Sequence, residues 1–315
     1  MAELSVESLA FSYGERPIIR DISFTAHAGD FIAVLGPNGV GKSTLFKCIL
    51  RFLKGYRGKV LIDGKSTDTM TRKEIAQKVA YIPQSSSQVF DFSVLELVML
   101  GYATKLPLFK TPNEEGEEQA LQILDSLGIA HLAHQGCGEI SGGEYQLVLL
   151  ARTLVQDARI LIMDEPTANL DYGNQYRVMD RIASLSRDDF IIIMAAHDPN
   201  QVLLHANRAL IVEDGRVVAD GTPPKVMTPE LLSEMYGINV QRYSLVDGSD
   251  GRHVEICVPK GEFRSGAGAG GGGMPRGGGA LGDEEAEEGS APDATAEHRS
   301  LDDVPARKPT RCLVD

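Results

Sequence analysis

Eight consecutive residues, Gly36, Pro37, Asn38, Gly39, Val40, Gly41, Lys42 and Ser43, fit the spacing G-x-x-x-x-G-K-[ST], and Thr44 follows them. They follow the apolar run DFIAVLG and precede KSTLFKCILRFL, so the motif sits between a strand and a helix. Glycines there let successive N–H groups turn inward around phosphate oxygens. The start of the helix adds a partial positive charge. Lys42 would reach the β- and γ-phosphates of a nucleotide, and the Ser43 hydroxyl would face Mg²⁺.

Other reactive groups end other apolar runs. ARILIMDE closes on Asp164 and Glu165. Asp164 can hold Mg²⁺; Glu165 can orient and deprotonate an attacking water. An Asp-Glu pair alone could equally be a solvated loop. Its place between a fully apolar strand and Pro166, in a chain with a phosphate loop, points to catalysis. His197 ends DFIIIMAAHD, where an imidazole can donate to the terminal phosphate. His27, His131, His134, His205, His253 and His298 have no such context and read as structural or surface residues. Gln84, after VAYI in YIPQSSS, could touch Mg²⁺ or the water. Tyr13, in FSYG, could stack on adenine, although an isolated tyrosine is more often core. Ser141 precedes Gly142, Gly143 and the helical run LVLLARTLV. A serine suits the N-cap of that helix, which leaves two adjacent glycines unexplained.

These groups need a frame. Continuous apolar strands imply a parallel sheet covered by helices on both faces, with ligands at the C-terminal strand ends. LSVESLAFSYG, IIRDISFTAHAGD and GKVLIDGK are short and partly alternating, and predict an antiparallel sheet packed beside the parallel one. A helical lobe is expected over about residues 94–150. RALIVEDGRVVADGTP predicts a hairpin around Asp214-Gly215. A helix over Pro229–Tyr236 and a last hairpin in NVQRYSLVDGSDGRHVEICVP follow. The fold class is therefore α/β.

Composition narrows the function. The chain has 315 residues and a formal net charge of -13, which argues against a nucleic-acid binder. Cys48, Cys137, Cys257 and Cys312 are scattered, as expected for free thiols in a reducing compartment. The terminal CLVD is a poor prenylation box. No signal peptide and no membrane helix are expected. The composition changes near Phe263: residues 264–315 are Gly-rich, then acidic, and are expected to be a disordered tail after a domain spanning 1–263.

Phosphate loop, Gln84, Ser-Gly-Gly helix start, Asp-Glu strand end and His197 stand in one order that resembles the ATP-binding subunit of ABC transporters, from about Leu4 to Val258. The resemblance implies a P-loop NTPase (RecA-like) core with an antiparallel β subdomain and a helical subdomain bearing the signature. That signature is usually Leu-Ser-Gly-Gly-Gln or -Glu; here it is Ile140-Ser141-Gly142-Gly143-Glu144, with Tyr145 where Arg is common. In the family two subunits face head to tail, so Ser141, Gly142 and Gly143 would meet the γ-phosphate of ATP held by the partner copy. Asp171, in ANLD, would bridge to that copy; Ala168 stands where serine is commoner. Tyr13 becomes an adenine platform and Gln84 a communication residue. The permease would be separate chains, received by a cleft formed by the loop from Gln84 to Val94. The subunit would sit on the cytoplasmic face of the membrane. VLELVMLGYATKLPLFKTPNEEGEEQALQILDSLGI and the last hairpin are similar to ATPases of iron–siderophore, haem and cobalamin importers, which also use a substrate-binding protein. A two-chain exporter and a soluble ATPase of the iron–sulfur assembly type stay open as alternatives.

Overall fold

The computed structural model describes residues 2–84, 92–105, 113–187, 189–246, 251 and 253–261. The stretch 264–315, the segment 106–112 and most of the loop between Gln84 and Val94 lie outside the described residues, and with them the expected tail and cleft.

Strands β1 (Glu3–Tyr13), β2 (Arg16–His27) and β3 (Phe31–Leu35) open the chain, followed by helix α1 (Lys42–Ile49). Next come β4 (Arg57–Ile62), β5 (Lys65–Ser66), α2 (Arg72–Lys78) and β6 (Val79–Ile82). The helical lobe holds α3 (Val94–Met99), α4 (Glu114–Ser126) and α5 (Gly142–Gln156). The chain then alternates through β7 (Ile160–Asp164), α6 (Tyr172–Ser186), β8 (Ile191–Ala196) and α7 (Pro199–His205). The hairpin β9 (Arg208–Glu213) and β10 (Arg216–Gly221) precedes α8 (Pro223–Val226), α9 (Pro229–Tyr236) and the separate hairpin β11 (Val240–Val246) and β12 (His253–Pro259).

Ten strands form one sheet in the order β5-β4-β1-β2-β10-β9-β3-β8-β7-β6. From β9 to β6 neighbouring strands run parallel. The antiparallel strands, expected to pack beside this sheet, continue its edge instead. Asp214 and Gly215 both have positive φ, 45° and 71°, which makes the tight turn between β9 and β10. The Gly215 carbonyl then accepts the N–H groups of Arg20 (2.8 Å) and Asp21 (3.2 Å), and Arg216 pairs with Asp21.

β3 shows why the apolar runs are continuous. Ile32 and Val34 face α1, through Leu45, Phe46 and Ile49, and the same cluster takes in Leu9, Ile22 and Phe24 of β1 and β2. The sheet therefore curls around α1. Phe31, Ala33 and Leu35 face the other way, toward Val148, Met179 and Val202 of α5, α6 and α7. With both faces covered, no strand position in β3, β7 or β8 is left to solvent. Each large side chain buried this way contributes about 1.5–3 kcal/mol, so the strand ends that carry the polar groups start from a rigid base.

The phosphate-loop helix is shorter than KSTLFKCILRFL suggests. Arg51 has φ 56°, its N–H donates to the Cys48 carbonyl (3.0 Å), and Phe52 N–H donates to that of Lys47 (2.8 Å). This is a Schellman closure with arginine in the left-handed position that glycine usually fills. The Arg51 guanidinium secures it by donating to the Thr67 carbonyl at 2.6 Å.

Candidate nucleotide site

The parallel strands bring their C-terminal ends into line. Leu35 stands opposite Ala196, Ala195 opposite Asp164, and Met163 opposite Ile82. Gly36, His197 and Glu165 are the next residues along their chains, and Gln84 lies two past Ile82. Four segments distant in sequence thus emerge side by side.

Gly41 precedes α1 at φ 113°, where an ordinary side chain is strained, and its carbonyl accepts the first helical bond from Leu45 (2.8 Å). Lys42, only 6% exposed, folds back so that Nζ donates to the carbonyls of Gly36 (2.7 Å) and Pro37 (3.4 Å). Burial pushes its pKa below the usual lysine value, while the carboxylates of Glu165 and Asp164 pull the other way. Asp164 itself is buried at the end of β7.

Gln84 Nε2 donates to Glu165 Oε2 at 2.9 Å, and His197 Nδ1 lies 3.8 Å from the same oxygen. The Glu165 side chain is 15% exposed and that of His197 52%. Glu165 has φ 50°. A non-glycine residue held there costs about 1–3 kcal/mol, and such strain gathers at functional sites. Its surroundings enforce it. Ala168 N–H donates to the Glu165 carbonyl at 3.2 Å, and Gln175 Nε2 donates to the carbonyls of Thr167 (3.2 Å) and Leu170 (2.9 Å).

A cavity of about 530 Å³ is lined by Tyr13, Asn38, Gly39, Gly41, Lys42, Ser43, Thr44, Gln84 and Glu165, together with Arg16 and Ile18. That volume suits a small organic ligand. Arg16 was not legible as a site residue. It faces Tyr13 across the tight turn of the first hairpin, and hairpin register was the only signal that could have found it. Tyr13 is half exposed, its ring edge-on to Phe11 at 4.9 Å.

Ser141, Gly142, Gly143 and Asp171 are not among the described residues lining this cavity. They meet one another elsewhere. Ser141 caps α5: its Oγ accepts from Glu144 N–H (3.3 Å) and donates to Glu144 Oε2 (2.7 Å), which also accepts the Ser141 N–H (2.8 Å). These bonds hold the Glu144 carboxyl below the usual glutamate range. Asp171 caps α6, accepting the N–H of Asn174 (2.9 Å) and its Nδ2 (2.8 Å). Asn174 lies directly under the signature: a Cβ on Gly143 would stand 2.6 Å from its Cγ, whereas one on Gly142 would meet only Leu170 Cδ2 at 3.4 Å. Packing inside one chain therefore explains one of the two glycines, and leaves Gly142 without an internal reason.

The donor set fits ATP and Mg²⁺. A buried lysine ammonium, a left-handed glycine turn and the start of α1 present positive potential to phosphates. The Ser43 hydroxyl and Asp164 carboxylate are hard oxygen ligands of the kind a magnesium ion takes.

The family model described as ABC transporter matches residues 19–168, which include the phosphate loop, Gln84, the signature and Glu165. An uncharacterized ABC transporter ATP-binding protein of Haemophilus influenzae is 36% identical over 233 residues, 74% of this chain and 89% of that one. The ferric enterobactin transport ATP-binding protein FepC of Escherichia coli is 32% identical over 239 residues, 76% of this chain and 88% of that one. A solved structure of an ABC transporter assigned to the metal-chelate type, in an inward-facing conformation, aligns at a TM-score of 0.73 and 29% identity, over 83% of this chain and 99% of that one. With the site geometry and these likenesses together, the chain belongs to the ATP-binding subunits of ABC transporters and is an ATPase of that family.

Proposed function

We propose that this chain energises an importer for a metal chelate such as an iron–siderophore, haem or cobalamin, working with separate permease chains and a substrate-binding protein. The observation that carries the hydrolytic part is the meeting of Gln84 and Glu165 at the wall of the Lys42 cavity, with His197 Nδ1 3.8 Å from the same Glu165 oxygen. The likeness to a ferric enterobactin ATPase and to a metal-chelate transporter supports the direction and the cargo. Among the described residues no helix is long and apolar enough to cross a membrane, which suits a subunit docked on the cytoplasmic face through its permease.

In this reading Lys42 and the loop N–H groups hold the β- and γ-phosphates, and Tyr13 backs the adenine. Ser43, Asp164 and Gln84 would hold Mg²⁺, which would supply charge neutralisation at the phosphates. Glu165 is the proton acceptor; the Gln84 amide orients its carboxylate, and His197 donates to the terminal phosphate. Ser141, Gly142, Gly143 and Asp171 serve the nucleotide of a second copy in an isologous dimer, so that two sites close together.

Co-expression with the permease chains tests the proposal. Co-purification and hydrolysis stimulated by permease and loaded binding protein are expected. Failure to co-purify, with hydrolysis indifferent to the permease, would overturn it.

A further inference from the structure

His197 leaves β8 and α7 begins two residues later, so the imidazole is aimed by whatever fixes that short stretch of backbone. The His197 carbonyl accepts a hydrogen bond from Tyr236 Oη at 3.0 Å. Tyr236 is the last residue of α9, far along the chain, and its ring packs on the main core cluster. Burial, with the Asp198 carboxylate behind it, pushes its phenol up to about 12, so it remains a donor throughout the neutral range.

The same C-terminal segment also holds α7. Asn200 acts as a one-residue strand partner to β12: its Oδ1 accepts the Cys257 N–H at 2.7 Å and its Nδ2 donates to the Cys257 carbonyl at 3.1 Å. Ser233 Oγ accepts the Val240 N–H at 2.9 Å, tying α9 to β11. From α7, Gln201 Nε2 donates to Gln175 Oε1 (3.0 Å) and its Oε1 accepts the Thr167 hydroxyl (3.2 Å). Gln175 is the residue that braces the strained loop after Glu165. One hydrogen-bonded path thus runs from the last hairpin through α7 to the loop that carries the carboxylate.

We propose that Tyr236 is a positioning residue for hydrolysis: by holding the His197 carbonyl it sets the imidazole against Glu165 and the terminal phosphate. The C-terminal segment thereby becomes part of the hydrolytic machinery. The inference rests on the reading of His197 as a phosphate donor.

The test is a double-mutant cycle in the full-length chain, by steady-state ATP hydrolysis. Tyr236→Phe removes only the hydroxyl. It is expected to lower kcat about three- to tenfold, the range of one hydrogen bond, while KM for ATP stays within about twofold and the melting temperature falls by no more than about 6 °C. In a His197→Ala background the same change is expected to do nothing further. Asn200→Ala, which loosens α7 from β12 and leaves Tyr236 intact, is expected to behave alike and keeps the test open if the first variant folds poorly. Wild-type kcat in Tyr236→Phe, or equal losses in both backgrounds, overturns the proposal. Wild-type kcat in His197→Ala alone overturns the underlying reading of the site.

Discussion

The two signature glycines answer to different causes, and single methyl groups separate them. In Gly143→Ala the new Cβ would stand 2.6 Å from Asn174 Cγ and 2.8 Å from its Cβ. Asn174 cannot swing aside freely, because Asp171 holds its Nδ2 at 2.8 Å and Arg177 Nη1 donates to its Oδ1 at 3.0 Å. Overpacking of this kind costs about 1–3 kcal/mol, and alanine in a helix returns about 0.5–1 kcal/mol relative to glycine. The net loss is about 0–2.5 kcal/mol, a melting temperature lower by up to roughly 10 °C for a domain of this size. Gly142→Ala meets only Leu170 Cδ2 at 3.4 Å, so its melting temperature should hold or rise slightly. Its methyl group would instead obstruct the approach of a nucleotide held by the proposed partner copy, and hydrolysis should fall about a hundredfold or more, the scale on which lost oxyanion contacts act. Thermal melting, ATP turnover and light scattering with Mg-ATP read all three quantities. A Gly143→Ala protein more stable than wild type would refute the packing argument. A Gly142→Ala protein with wild-type turnover and an intact ATP-dependent dimer would remove Gly142 from any interface with a second nucleotide.

Glu165→Gln should bind Mg-ATP, hydrolyse it slowly and accumulate an ATP-bound dimer in light scattering; a wild-type rate would remove Glu165 as proton acceptor. Lys42→Ala should abolish the heat of ATP binding in calorimetry, because no other cation described here is buried against the loop carbonyls. Ser141→Ala removes the largest cause of the low Glu144 pKa, which should move back up in a carboxyl NMR titration. A depressed carboxyl stabilises the fold above its unfolded pKa and loses that contribution as pH falls through the folded value. The wild-type cap at α5 should therefore outlast the variant's as the solution is acidified.

Contiguous signals were legible in the sequence; contacts between distant residues were not. GPNGVGKST, ILIMDE and IIIMAAH each carry strand, turn and reactive group in one stretch, so both the elements and their polar ends could be read directly. Arg16 enters the cavity through hairpin register, Asn174 matters by lying under Gly143, and Tyr236 by reaching the carbonyl of His197. None of these is marked by its own neighbours. The S-x-x-E spacing of Ser141 and Glu144 is contiguous in the sequence and marks the capping box seen at α5. The end of α1 was misjudged because arginine, not glycine, takes the left-handed position at Arg51. The tertiary bond to Thr67 that secures it has no local signature.

The Ser141 hydroxyl already has an anionic acceptor at rest, the carboxylate of Glu144 at 2.7 Å. In the proposed dimer, a phosphate arriving from a facing copy would not find an idle donor; it would have to displace a seated rival of the same sign. Closure would then trade one anionic acceptor for another at this hydroxyl, and reopening would return the hydroxyl to Glu144 rather than leave it without an acceptor. A contact so balanced would suit an interface that has to come apart again.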